Sequence, residues 1–252
     1  MREKILSSIE QIEAEHNIKV LLACETGSRA WGFPSPDSDY DVRMLYVHNR
    51  NWYLTLSEGR DSIELMLENN DLDITGWDLR KALRLLWKSN APFLERIQSP
   101  IIYKQDENFV REINELAPNF YSRIATMHHY LSMAKKCRED VLDKEEYKLK
   151  KLFYALRTAV ASKWINDTED IPPIEFGKML EGLGISSDIR ARINELIELK
   201  STISESYMHS GDENILAFID ECIEMADENA KSLPSAKGDI SELNDFLRKY
   251  IG

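Results

Sequence analysis

Asp39 and Asp41 stand one residue apart in the stretch GSRAWGFPSPDSDYDVR, which starts at Gly27, and a third aspartate, Asp73, sits near the start of the run LDITGWD. In a strand, residues i and i+2 project from one face, so Asp39 and Asp41 point together with Arg43, while Tyr40 and Val42 turn away. Two carboxylates that close repel each other unless something positive lies between them. If the strand carrying Asp73 neighbours the first, three carboxylates converge, and such a cluster suits a pair of hard divalent cations. Magnesium takes oxygen ligands at about 2.0–2.1 Å and commonly shares them with substrate phosphates. Two such ions about 3.5–4 Å apart clamp the attacking and leaving oxygens of an in-line phosphoryl displacement. Gly27 and Ser28 supply the complementary half: they follow an apolar run, open a short helical turn, and offer backbone N–H groups and a hydroxyl to an anion, with no Cβ at Gly27 in the way. A Gly-Ser turn alone is usually just a turn, and a DxD pair alone a solvated strand end. Joined in this order and spacing, they are far more specific, and point to a triphosphate cradle beside a metal site.

These groups need a scaffold. Ile5, Ile9 and Ile12 recur at helical spacing and predict a first helix ending near His16-Asn17. The apolar run Val20 to Cys24, closed by a Gly-containing turn, predicts a buried strand, and Asp41 to Val47 a second, central one. Residues 62–67 (SIELML) and 72–76 (LDITG), separated by Glu68-Asn69-Asn70-Asp71, predict a hairpin. From Asp78, a capping residue, the pattern turns helical. It is broken at Asn90-Ala91-Pro92, Ser99-Pro100, Ala117-Pro118, Ile171-Pro172-Pro173 and Leu233-Pro234. Ser232 to Lys237 reads as a linker before a short closing helix. The expected fold is α+β, with a mixed sheet and helices over residues 1–105 and an all-helical domain over residues 106–252.

Composition narrows the partners. In 252 residues, 44 acidic side chains against 32 basic ones give a net charge of −12, which argues against nonspecific coating of nucleic acid or anionic membrane. Any nucleic-acid contact must then be a local basic patch. Cys24, Cys137 and Cys222 are far apart, with no spacing that clamps zinc, and read as small hydrophobes in a reducing compartment. The N-terminus lacks the apolar core of a secretory signal. No window approaches the roughly 18 apolar residues that span a bilayer. A cytoplasmic protein without membrane contact is expected.

The strings GSRAWG…SPDSDYDVR and LDITGWDLRKALRLL resemble the DNA polymerase β-like nucleotidyltransferase superfamily, whose signature is hG[GS], then DxD, then a third aspartate on a later strand. More narrowly, they look like the predicted bacterial nucleotidyltransferases associated with RNA repair. The likeness is close over most of residues 19–105 and looser in the helical part. It implies that Gly27 and Ser28 hold nucleotide phosphates, that Asp39 and Asp41 bind two Mg²⁺ (or Mn²⁺) ions, and that Asp73 binds the catalytic ion and helps deprotonate an acceptor hydroxyl. None of these five positions departs from the pattern. The implied reaction moves a nucleoside monophosphate from a nucleoside triphosphate to an acceptor hydroxyl and releases pyrophosphate. The acceptor stays open between an RNA 3′ end, a protein and a small molecule. A regulator that binds nucleotide or RNA without turnover is the non-enzymatic alternative, and the intact third aspartate speaks against it.

Other residues carry two readings. In the helical stretch around residues 145–165, Leu149, Leu152, Phe153, Leu156 and Val160 form one stripe. Lys151, Tyr154 and Thr158 fall on the opposite face, with Lys150 and Arg157 on its flank. A solvated basic face is one explanation. The other, which the resemblance favours because an all-helical domain closes the active-site cleft in that superfamily, is that Lys151 and Arg157 bind the nucleotide. Arg43 reads as a structural ion pair or a phosphate contact, and Arg29 is open in the same way. Trp31, Trp77 and Trp87 read as packing residues. His128-His129 lack further groups at ligand spacing. Arg80, Lys81, Arg84 and Lys88 read as a solvated basic surface, with an RNA-facing one as the alternative.

Overall fold

Ile5, Ile9 and Ile12 are buried on helix α1 (Arg2–His16), which ends where Asn17 turns left-handed at φ 50°. They lie against one face of a five-stranded sheet, in a cluster with Val42, Met44, Tyr46, Ile63, Leu72 and Ile74. Truncating any of these isoleucines to alanine would cost about 2–5 kcal/mol. The sheet belongs to a computed structural model that describes residues 1–67, 71–235 and 238–252. The expected hairpin turn at Glu68-Asn69-Asn70 and the linker positions 236–237 lie outside the described residues.

Along the chain come β1 (Ile18–Glu25), α2 (Gly27–Trp31), β2 (Tyr40–His48), α3 (Arg50–Tyr53), β3 (Ser62–Leu67), β4 (Leu72–Asp78), α4 (Leu79–Trp87), α5 (Ala91–Ile97), β5 (Ile102–Gln105) and α6 (Glu107–Leu116). The strand order is β3-β4-β2-β1-β5, with β2 central. Only the β2–β4 pair is parallel among these; β1 runs antiparallel to both β2 and β5, and β3 to β4. The fold is therefore α+β around a mixed sheet. Val42, Met44 and Tyr46 face the α1 core, so the odd-numbered residues of β2, Asp41 and Arg43 among them, face the other way. Asp78 accepts a hydrogen bond from the Arg80 N–H at 2.9 Å and so caps α4, which packs on β2 and β4.

The chain forms two compact units whose segments alternate along the sequence instead of dividing at one cut after residue 105. Met1–Ala30, Asp39–Tyr121 and Ala236–Gly252 make the first; Trp31–Ser38 and Ser122–Ser235 make the second. The second contains α7 (Arg123–Glu139), β6 (Tyr147–Lys148), α8 (Leu149–Asp167), α9 (Phe176–Gly182), α10 (Ser187–Thr202), β7 (Met208–His209) and α11 (Glu213–Asn229). Its centre is α8, flanked by α7, α9 and α11. The closing helix α12 (Ile240–Ile251) returns to the first unit and packs on α4. Among the described residues no helix is long and apolar enough to cross a membrane.

Candidate functional site

Asp41 and Asp73 are register partners on the parallel pair β2 and β4. Partners in a parallel ladder project from the same face, so the two carboxylates rise side by side at the start of both strands. Between them stands Arg43. Its Nη2 lies 2.8 Å from Asp41 Oδ1 and 2.9 Å from Asp73 Oδ2. Its Nη1 donates to the carbonyls of Val42 at 3.1 Å and Asp73 at 3.2 Å. The positive group that the acidic pair requires is thus a neighbouring side chain two residues along the same strand.

Gly27 abuts this pair. Its φ is +62°, which an L side chain rarely adopts, and a Cβ there would stand 2.1 Å from Asp41 Oδ2. Ser28 follows it in α2, a helix of five residues. Asp39 precedes β2 and is exposed, and its carbonyl accepts from Arg29 Nε at 3.0 Å. The Arg29 guanidinium lies over the Tyr40 ring, 3.8 Å from its centroid. Among the described residues no group of three or more His, Cys, Asp or Glu side chains is arranged to hold a metal ion.

Three residues unmarked by sequence reasoning underlie the site. Glu25 is fully buried at the end of β1, accepts the Asp41 N–H at 2.6 Å and is hydrogen-bonded by the Tyr103 hydroxyl. Burial pushes its carboxyl above the ordinary range, against the lowering effect of those two donors. The available signal was a charged residue directly after the apolar run and before the Gly-Ser turn. Arg96, on α5, is 6% exposed; its guanidinium stacks on Trp77 at 3.2 Å and donates to the Met44 carbonyl at 3.5 Å. Burial, with Arg43 nearby, pushes it down to about 9.

Lys151 and Arg157 belong to the second unit. Lys151 pairs with Asp140 at 2.7 Å, both side chains being nearly half exposed. Arg157 is buried at 3% exposure, its guanidinium 4.3 Å from the Trp31 ring centroid. Thr158, expected on a solvated face, is buried too, because α8 is enclosed on several sides. The basic stripe of α4 meets acids from the segment before β3: Lys81 reaches Asp61 at 2.9 Å, and Arg84 reaches Glu58 at 3.5 Å.

A Bacillus subtilis (strain 168) protein described as uncharacterized protein YcgL is 39% identical over 252 residues, which is all of this chain and 96% of that one. A crystal structure of a nucleotidyltransferase-like protein from Exiguobacterium sibiricum 255-15 aligns with 90% of this chain and 75% of its own, at 12% identity and a TM-score of 0.32. Residues 1–249 match the model of the RNA repair pathway DNA polymerase beta family, and the chain belongs to that family.

Proposed function

We propose that this protein transfers a nucleoside monophosphate from a nucleoside triphosphate to an acceptor hydroxyl, releasing pyrophosphate. The observation that carries the reading is the convergence of Asp41 and Asp73 on one cationic nitrogen beside a glycine that leaves no room for a Cβ. Both are hard oxygen donors meeting at a point that already holds positive charge, so the pair suits Mg²⁺ or Mn²⁺ by donor type and by charge. Asp39, exposed just before β2, is the third donor in this reading. Bound there, two ions would supply charge neutralisation for the attacking and leaving oxygens.

The protein's own residues orient and bind. Gly27 and Ser28 face the triphosphate, Glu25 fixes the backbone of Asp41, and Asp73 takes the proton of the acceptor hydroxyl. No nucleophilic side chain is needed, because phosphoryl transfer asks for positioning and charge stabilisation. Lys151 and Arg157 are assigned to nucleotide binding from the family likeness alone. The family's description names RNA repair, which favours an RNA 3′ end as acceptor; a protein or small molecule is the second choice.

The test incubates the protein with each α-labelled triphosphate and Mg²⁺ or Mn²⁺, adding RNA, cell protein or small molecules in turn. Label is expected in the RNA pool with stoichiometric pyrophosphate, and Asp41→Asn or Asp73→Asn should abolish both. Transfer by either variant at the parent's rate, or pyrophosphate release with no labelled acceptor, would sink the reading.

A further inference from the structure

Arg43 sits at a point that both register-paired carboxylates reach. An exposed ion pair of this kind contributes little, but the Arg43 side chain is only 17% exposed and its guanidinium is also held by two backbone carbonyls. The planar fork is therefore preorganised where it stands. Asp41 Oδ2 fills the space that a Cβ on Gly27 would take.

Charge decides what else the place can hold. Arg96 lies beneath, buried and electrostatically coupled to both Arg43 and Asp73, and it has no carboxylate within ion-pair distance among the described residues. Asp41 and Asp73 are paired with one guanidinium and lie near a second, with the buried Glu25 carboxyl behind Asp41. A divalent ion arriving beside both arginines would add two positive charges to that setting. With Arg43 withdrawn and Asp39 recruited, one positive charge leaves and one negative charge joins. The ion and Arg43 exclude each other by charge as well as by position.

We propose that Arg43 is a resident counter-ion that keeps the place of a divalent cation in the resting protein, and that uptake of the ion requires the guanidinium to withdraw. This rests on the nucleotidyl-transfer reading above and adds a displacement step to it.

The experiment uses the full chain without nucleotide and follows free Mn²⁺ by electron paramagnetic resonance. Arg43→Met is expected to bind Mn²⁺ at least about tenfold more tightly than the parent, the scale on which one neighbouring charge perturbs a carboxylate. Arg43→Lys, which keeps the charge and loses the fork, should fall between them. Adding Asp41→Asn to Arg43→Met should erase the gain. Mn²⁺ should also raise the unfolding temperature of Arg43→Met more than that of the parent. Equal or weaker affinity in Arg43→Met, or no measurable uptake by either protein, overturns the proposal; if Arg43→Met does not fold, Arg43→Lys against the parent decides it. The two readings fail separately. Label transfer by the parent with unchanged Mn²⁺ affinity in the variants removes only the displacement step, whereas tighter binding without transfer to any acceptor removes only the enzymatic reading.

Discussion

Gly27 lies so close beneath Asp41 that a Cβ on the glycine would stand 2.1 Å from the carboxylate Oδ2, at a backbone φ of +62°. The glycine serves the aspartate twice, by adopting a left-handed conformation and by leaving space. Gly27→Ala meets both constraints. The backbone strain costs about 1–2 kcal/mol, and relief of the clash must move Asp41 away from Arg43. Urea denaturation should show that loss. Label transfer should drop about a hundredfold, since a displacement of roughly 1 Å near reacting groups has that effect. Ser28→Ala, with no such clash, should unfold like the parent; a Gly27→Ala protein as active as the parent would separate Asp41 from the chemistry.

Glu25 holds Asp41 from the other side. Its carboxylate accepts the Asp41 N–H at 2.6 Å and the Tyr103 hydroxyl, and Ser99 Oγ donates to its carbonyl at 2.6 Å. Glu25→Ala leaves a backbone N–H and a phenol unpaired in the interior, each costing about 1–3 kcal/mol. Glu25→Gln keeps an acceptor and should lose less. Both should lower the turnover of label more than the apparent affinity for triphosphate, because the residue acts through Asp41. An effect confined to stability would limit Glu25 to the core.

The site was legible in the sequence where local periodicity decides geometry. Asp41 and Arg43 share a face because β2 alternates, and Asp73 joins them because β4 pairs with β2 in register. What the sequence could not show depends on tertiary enclosure. Glu25 follows the apolar run of β1 with no local mark of a role, and it is Tyr103 from β5 that makes its burial tolerable. β5 itself spans four residues, too few for a pattern to emerge. Arg157 reads as half exposed on a two-faced helix, but α8 is enclosed by its neighbours. Residues 31–38, which lie between the two motif halves, group with the second unit through Phe33, which packs on Phe153 at 4.8 Å and Phe176 at 5.6 Å.

Asp78 offers a pH-dependent test of the sheet's far end. Its Oδ2 accepts the Tyr53 hydroxyl at 2.5 Å, and burial holds its carboxyl above the usual 3.8. A carboxyl raised in the folded state binds more protons folded than unfolded, so its penalty is complete above the folded value and fades as the pH falls towards 3.8. Tyr53→Phe removes a donor that favours the charged form and pushes Asp78 higher. At neutral pH the variant should lose about 1–3 kcal/mol. The loss should shrink on acidification; urea midpoints that show it constant or growing would contradict the assignment.

Glu205 helps to fasten the segment before Asp39. Ser38 Oγ donates to Glu205 Oε1 at 2.9 Å, Lys150 Nζ to Oε2 at 2.5 Å, and the Glu205 N–H to Asp37 at 2.9 Å. Nearby, Lys200, 2% exposed, gives its ammonium to Ser35 Oγ at 2.8 Å, and burial lowers its basicity. Glu205 raises it again, while Lys150 lowers it further. Glu205→Ala therefore strips the Ser38 hydroxyl of an acceptor and leaves two ammonium groups without the carboxylate that offsets their repulsion. The expected cost is about 1–3 kcal/mol, with Glu205→Gln losing less because Oε1 still accepts from Ser38. Limited proteolysis should then cut within residues 33–38 faster in Glu205→Ala than in the parent. Since Ser38 is bonded directly to Asp39, label transfer should fall with that loosening. Faster cleavage with undiminished transfer would mean that Asp39 is placed by β2 alone.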